Sequence, residues 1–161
     1  MKYPLQAMLN VRVLRQENAS QALTNAKRRV TEALAAVEKR KTELEEYKVW
    51  RVEEEARLFE TIRNREIESG EVDGHRDMVR RLRMKDAEYE QRVRDAELEV
   101  EHARAAQAEA EAEYRRATKN REKIETHRGL WLEEEMRQQA LAEDREMEEF
   151  TGKSAQRDDG E

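Results

Sequence analysis

Three histidines, His75, His102 and His127, carry the chemistry that would matter most in this 161-residue chain if they converged. A zinc site or an acid–base pair needs two or three such groups within a few ångströms. The HExxH motif supplies that by placing two histidines on one helix face. No HExxH occurs here, and the three histidines stand far apart in the sequence. The acidic runs Glu53-Glu54-Glu55 and Glu133-Glu134-Glu135 could hold a cation, but their setting reads as solvated helix surface. Gly70 and Gly74 do not form a phosphate loop, because no strand precedes them and no Lys-Ser/Thr follows. The pairs Arg28-Arg29, Arg80-Arg81 and Arg115-Arg116 are balanced by neighbouring acids, and the net charge is −6. Nucleic acid is therefore not expected as a partner. With no cysteine, disulfides and thiolate metal sites are excluded. The residues point to no catalytic, cofactor or metal site, and the chain is read as a non-enzyme.

The elements that carry these residues follow from composition. Charged residues make up 43% of the chain and aromatics 5%, with a single proline. Such a supply cannot fill a compact core. Ala, Glu, Arg, Lys and Leu in alternating charge are instead the material of long helices and coiled coils. No apolar run approaches the roughly 20 residues of a membrane span, and the start has no signal-peptide core. Residues 133–161 hold eleven acids and four bases, so the C-terminal end is an acidic segment on an otherwise balanced chain.

Helix breakers are few. Pro4 suits a first helical turn. Ser69 to Gly74 is the central turn signal, with two glycines and an Asp-Gly pair. The reading is an all-α antiparallel two-helix coiled-coil hairpin over 1–150. Helix 1 spans about 4–68, the turn about 69–74 and helix 2 about 75–150, with 151–161 a disordered acidic tail. Seven-residue spacing supports it. The row Leu82, Tyr89, Ala96, Ala103, Ala110, Ala117, Ile124, Trp131, Gln138 is apolar at every place but the last, with Val79, Val93, Val100 and Tyr114 beside it. In helix 1 the row is Leu9, Gln16, Leu23, Val30, Val37, Leu44, Arg51, Leu58, flanked by Ala19, Ala26, Ala33 and Tyr47. A turn centred on 71 or 72 would set Trp131 beside Arg12 and Leu82 near Thr61, with both chain ends at one pole.

One stretch does not fit a solvated hairpin. In YKVWRVEEEARLFE, residues 47–60, Tyr47 and Leu58 belong to the seam, but Val49, Val52, Ala56 and Phe59 share another face. Trp50 flanks the seam. An exposed apolar stripe with large aromatics at its ends marks a partner-binding surface. Packing on a second copy, or a local shift of the seam, would account for it as well.

The same stretch resembles the corresponding segment of the YscO family of type III secretion proteins through Trp50, Arg51, Val52, Glu53, Glu54, Glu55, Arg57, Leu58 and Phe59. The opening KYPLQAMLNVRVLR is similar to the start of that family and of its flagellar relative FliJ, in Tyr3, Leu5, Leu9, Arg12 and Leu14. The closing Glu148-Glu149-Phe150 fits too; the alanine-rich second helix matches no family pattern. The resemblance implies a cytoplasmic helical hairpin, like the γ subunit of rotary ATPases, at the inner-membrane base of the secretion apparatus. It would act as a central stalk that binds the hexameric export ATPase, links it to the export gate protein and escorts secretion chaperones. By that analogy Tyr3, Leu5, Met8, Leu9 and Arg12 would contact the ATPase; the stripe of Val49, Trp50, Val52 and Phe59 is a candidate partner-binding surface by its outward spacing alone. Contact with the membrane would run through partners only. A monomer or weak self-association is expected, because the hairpin closes its own seam. The alternative is a structural coiled-coil rod that assembles with copies of itself and needs no ATPase.

Overall fold

A computed structural model describes residues 2–158 of the chain, with side chains described to Gly152. It contains two helices, α1 (Gln6–Ile62) and α2 (Ser69–Asp158). They pack antiparallel in two compact units, one formed by Met1–Gln21 with Ala112–Glu161 and the other by Ala22–Glu111.

The seams lie where the heptads place them. Every member of the Leu9 row and of the Leu82 row through Trp131 is buried or half-buried, and only Gln138 is exposed. The most covered apolar residues are Tyr3, Leu9, Ala19, Ala26, Val37, Tyr47, Val100 and Ala117. Even these keep a few per cent of their surface, and no large side chain among the described residues is completely enclosed. Two helices can each cover only one face of the other. The alanine-rich seam brings them close but removes little apolar area from water.

The turn differs from the sequence expectation. Residues 63–68 join the helices, and Ser69 to Gly74 form the first turns of α2. Neither Gly70 nor Gly74 has positive φ. Asn64 does, at 57°, in the left-handed region that Asn tolerates better than most residues. It lies two residues past Ile62, where a chain leaving a helix commonly takes that conformation. At the start of α2, the Glu68 carbonyl accepts from the amides of Glu71 (3.0 Å) and Val72 (3.3 Å), which makes Glu68 the residue that opens the helix.

The register moves with the turn. Trp131 meets Tyr3, nine positions before the expected Arg12, at a ring separation of 5.4 Å. Tyr47 stacks on Tyr89, one heptad before the expected Ala96, and its hydroxyl reaches the Leu82 carbonyl. The charges give the physical reason. The expected register would set Arg51 against Arg92 and Glu55 against Glu88. The observed one sets Arg51 against Asp86 and Glu55 against Arg83. The two rows are mainly apolar along their length, so sliding one past the other by whole heptads changes little except at the polar positions. Those positions choose the register.

The chain ends do not meet at one pole, because Tyr3 packs against His127 and Trp131 and so leaves the last part of α2 with no stretch of α1 beside it. Every described side chain from Met136 to Gly152 is exposed. α2 continues past Phe150 to Asp158, so residues 151–158 of the expected tail are helical; Asp159, Gly160 and Glu161 lie outside the described residues. Among the described residues, no helix is long and apolar enough to cross a membrane.

Candidate partner-binding surfaces

The outward stripe is exposed. Val49, Val52 and Phe59 show 61%, 59% and 55% of their surface, and Trp50 shows 47%. Helical spacing explains it: Tyr47, Arg51 and Leu58 point into the seam, and Val49, Trp50, Val52 and Phe59 fall about a quarter to half a turn away from it.

What lies beneath the stripe is held firmly. The Tyr47 ring stacks on Tyr89 with centroids 4.5 Å apart and planes 14° from parallel. Its hydroxyl donates to the Leu82 carbonyl at 2.6 Å. Burial, joined by the nearby Asp86 carboxylate, raises the Tyr47 phenol above its ordinary value. Trp50 leans on Tyr47 at 5.6 Å, and the Arg92 guanidinium lies 4.7 Å from the centre of Tyr89. An open groove beside Trp50 is lined by Arg40, Glu43, Glu46, Tyr47, Trp50, Tyr89 and Arg92.

Next along the helix, Arg51 donates through Nε to Asp86 (3.1 Å) and through a terminal nitrogen to Glu55 (2.8 Å). Glu55 accepts two further bonds from Arg83 (3.0 and 3.1 Å). Arg83's bonds, with help from those of Arg51, hold the Glu55 carboxyl below the usual range against the opposing effect of burial. The side chains of Arg51, Glu55 and Asp86 are all at least three-quarters covered. A covered arginine shared by two carboxylates is a stiff support. The stripe therefore stands on a backbone whose position is fixed before any partner arrives, which reduces the ordering cost of binding.

The N-terminal set is divided. Tyr3 and Leu9 are each only 5% exposed. Tyr3 shares a 2.7 Å hydrogen bond with His127 Nδ1 and packs its ring against both His127 and Trp131. Leu5 and Arg12 are half-buried. Of the five residues expected to meet an ATPase, Met8 alone is exposed, at 43%, and Val11 and Leu14 are exposed near it. Tyr3 and Leu9 thus sit in packing positions rather than on the surface. The register is again the reason: it brings 127–131 of α2 against the first residues of the chain.

Periodicity alone could not show how the polar seam positions are satisfied. Gln16 interrupts the apolar row of α1 as Arg51 does. It donates to Thr118 Oγ1 (3.0 Å) and accepts from Arg121 (2.7 Å). The signal was present in the sequence as polar residues at core positions on both helices, but pairing them requires the register. The histidines stay apart: His127 is beside Tyr3, while His102 lies on the exposed surface of α2 near Glu99. Among the described residues, no three His, Cys, Asp or Glu side chains are grouped as a metal would need.

Comparison with known proteins places this geometry. A family model described as type III secretion protein YscO matches residues 5–153. The chain is similar to the crystal structure of the type III secretion protein YscO from Vibrio parahaemolyticus, with a TM-score of 0.82 and 29% identity over 91% of this chain and 92% of that one. It is also similar in fold to a putative YscO homolog from Chlamydia trachomatis, with a TM-score of 0.76 and 20% identity over 97% of this chain and 96% of that one. No curated protein sequence matches it.

Proposed function

Because this chain belongs to the YscO family of type III secretion proteins, we propose that it is the cytoplasmic stalk of a type III secretion system. In this role it binds the hexameric export ATPase, links it to the export gate at the inner membrane, and escorts secretion chaperones. The observation that carries the reading is the exposed stripe of Val49, Trp50, Val52 and Phe59 on a base pinned by Tyr47 and Arg51. A chain that only spaces other parts has no use for four large apolar side chains held in water. The seam is closed within the chain in both units, which also favours a partner-binding module over an obligate oligomer.

The burial pattern refines which residues act. Met8, with Val11 and Leu14, forms the exposed apolar surface near the start of α1 and is the proposed ATPase contact. Tyr3 and Leu9 serve it from below by fixing α1 against α2, and Leu5 and Arg12 border it. The stripe at 49–59 takes the chaperone or the gate.

The test is the hydrolysis rate of the cognate ATPase, shown to be hexameric and active, across a concentration series of the purified protein. Saturable stimulation is expected. Met8→Asp with Val11→Asp should weaken it without loss of helix content. Phe59→Asp should leave stimulation intact while abolishing capture of the purified chaperone or gate domain. No stimulation at any concentration would overturn the stalk reading. Loss of fold in Phe59→Asp would show the stripe to be core.

A further inference from the structure

Two short stretches of α2 are near mirror images in charge. Residues 76–85 (RDMVRRLRMK) hold five bases, Arg76, Arg80, Arg81, Arg83 and Lys85, and one acid, Asp77. Residues 143–150 (EDREMEEF) hold five acids, Glu143, Asp144, Glu146, Glu148 and Glu149, and one base, Arg145. Each also exposes apolar side chains: Met78 and Met84 in the first, at 52% and 64%, Met147 and Phe150 in the second, at 70% and 77%.

The matching extends to spacing. On a helix, residues three and four apart are neighbours. Arg80 and Arg81 are the four-back and three-back neighbours of Met84. Glu143 and Glu146 stand four back from Met147 and Phe150. So one stretch shows an apolar side chain bordered by cations, and the other an apolar pair bordered by anions. A shallow groove along the first is lined by Arg76, Val79, Arg80, Arg83 and Met84. Arg83 is engaged by Glu55, and Arg76 and Arg80 reach Asp73 and Asp77 only at 4.0 and 3.6 Å on an open surface. Arg81 and Lys85 have no ion pair among the described residues, and neither does any of the five acids from Glu143 to Glu149.

We infer that the acidic end of α2 in one copy of this chain docks on the basic 76–85 face of a second copy. The contact would be head to tail: the surfaces that meet differ, so each copy keeps one face and one end free, and short open chains of molecules can form. Its affinity rests on charges in high dielectric plus a small apolar contact, so it is weak and falls steeply with salt. The seam takes no part. A stalk that self-associates in this way would be held in reserve until a partner claims either surface. The contact itself depends on neither the ATPase nor the gate.

Sedimentation equilibrium of the full chain over a concentration series is the test. At roughly 20–50 mM salt the mass should rise above 19.1 kDa with concentration, and it should return to the monomer at about 0.5 M, where the Debye length is only a few ångströms. Arg80→Glu with Arg81→Glu should weaken association at least tenfold, as should Glu146→Lys with Glu149→Lys. All four changes in one chain should restore it. These positions are exposed, and unchanged circular dichroism checks that the fold survives. A monomer at every salt, or an association that salt and the charge reversals leave unmoved, would overturn the proposal. An association lost in either double variant but not restored in the combined one would show that the two stretches do not meet each other.

Discussion

α2 between Val79 and Val93 and α2 from Met136 to Phe150 are made of similar material: many charged residues with large apolar side chains set among them. Both are helical. In the first, Val79, Leu82, Asp86, Tyr89 and Val93 are covered by α1, and the ion pairs of Asp86 and Arg83 are made across the helix interface. In the second, Met136, Leu141, Met147 and Phe150 are exposed, and the acids from Glu143 to Glu149 meet no cation among the described residues. Helix propensity suffices to wind both stretches. Only the presence of a facing helix turns spacing into a core. The same composition is therefore a structural seam in one place and a free surface in the other.

The sharpest way to break that contrast is Tyr47→Ala. It removes a stacked ring and an interhelix hydrogen bond together, and should cost about 3 kcal/mol in chemical denaturation. The equivalent truncation in the free stretch, Phe150→Ala, should change stability by less than about 0.5 kcal/mol. If the two costs came out alike, the contrast would fail.

Arg51→Ala should come next, at about 2 kcal/mol, since it leaves Asp86 and Glu55 close together with one shared cation gone. The pH dependence sharpens this. The Glu55 carboxyl is depressed in the folded chain. Its contribution is therefore complete above the unfolded carboxylate range and is lost as pH falls through the lower folded value. Urea titrations should show the native chain losing stability on the acid side, and Glu55→Gln should flatten that limb. The alkaline limb has the opposite origin. The Tyr47 phenol is raised, so its contribution is complete below the ordinary tyrosine range and is lost as pH rises from there through the higher folded value. Tyr47→Phe should remove that late loss.

One further substitution should give a gain. A Cβ on Gly70 or Gly74 would meet nothing within 4 Å, and neither glycine uses positive φ. Gly74→Ala should therefore stabilise the chain by about 0.5–1 kcal/mol, seen as a higher denaturation midpoint. A turn built on these glycines would instead be damaged by the change.

Much was legible in the residues themselves. Few breakers and dense helix-forming residues allow only long helices. The spacing of Leu9 to Leu58 and of Leu82 to Trp131 marks which faces are covered, and it leaves Val49, Val52 and Phe59 outside. These are local properties, because a residue's direction on a helix follows from its position in the repeat. The sequence also misled, since Gly70 and Gly74 are the loudest turn signal and yet wind into α2, while the chain reverses at Asn64. Glycine tolerates a turn but does not demand one, and a helix start can absorb it where the next turns are satisfied.

The tertiary structure decided the register. Heptad rows with so many small or repeated apolar residues fit one another at several offsets, and area alone barely separates them. Polar residues do separate them, because an unpaired charge at a covered position is costly. The observed offset joins Arg51 to Asp86, Glu55 to Arg83 and Gln16 to Thr118 and Arg121 at once. That offset covers Tyr3 with His127 and Trp131, while Leu9 faces inward and Met8 outward by their places in the repeat. It also leaves the acidic end of α2 without a helix beside it. Each helix's inward face was settled by its own repeat, whereas which residues meet there depended on two helices satisfying their charges together.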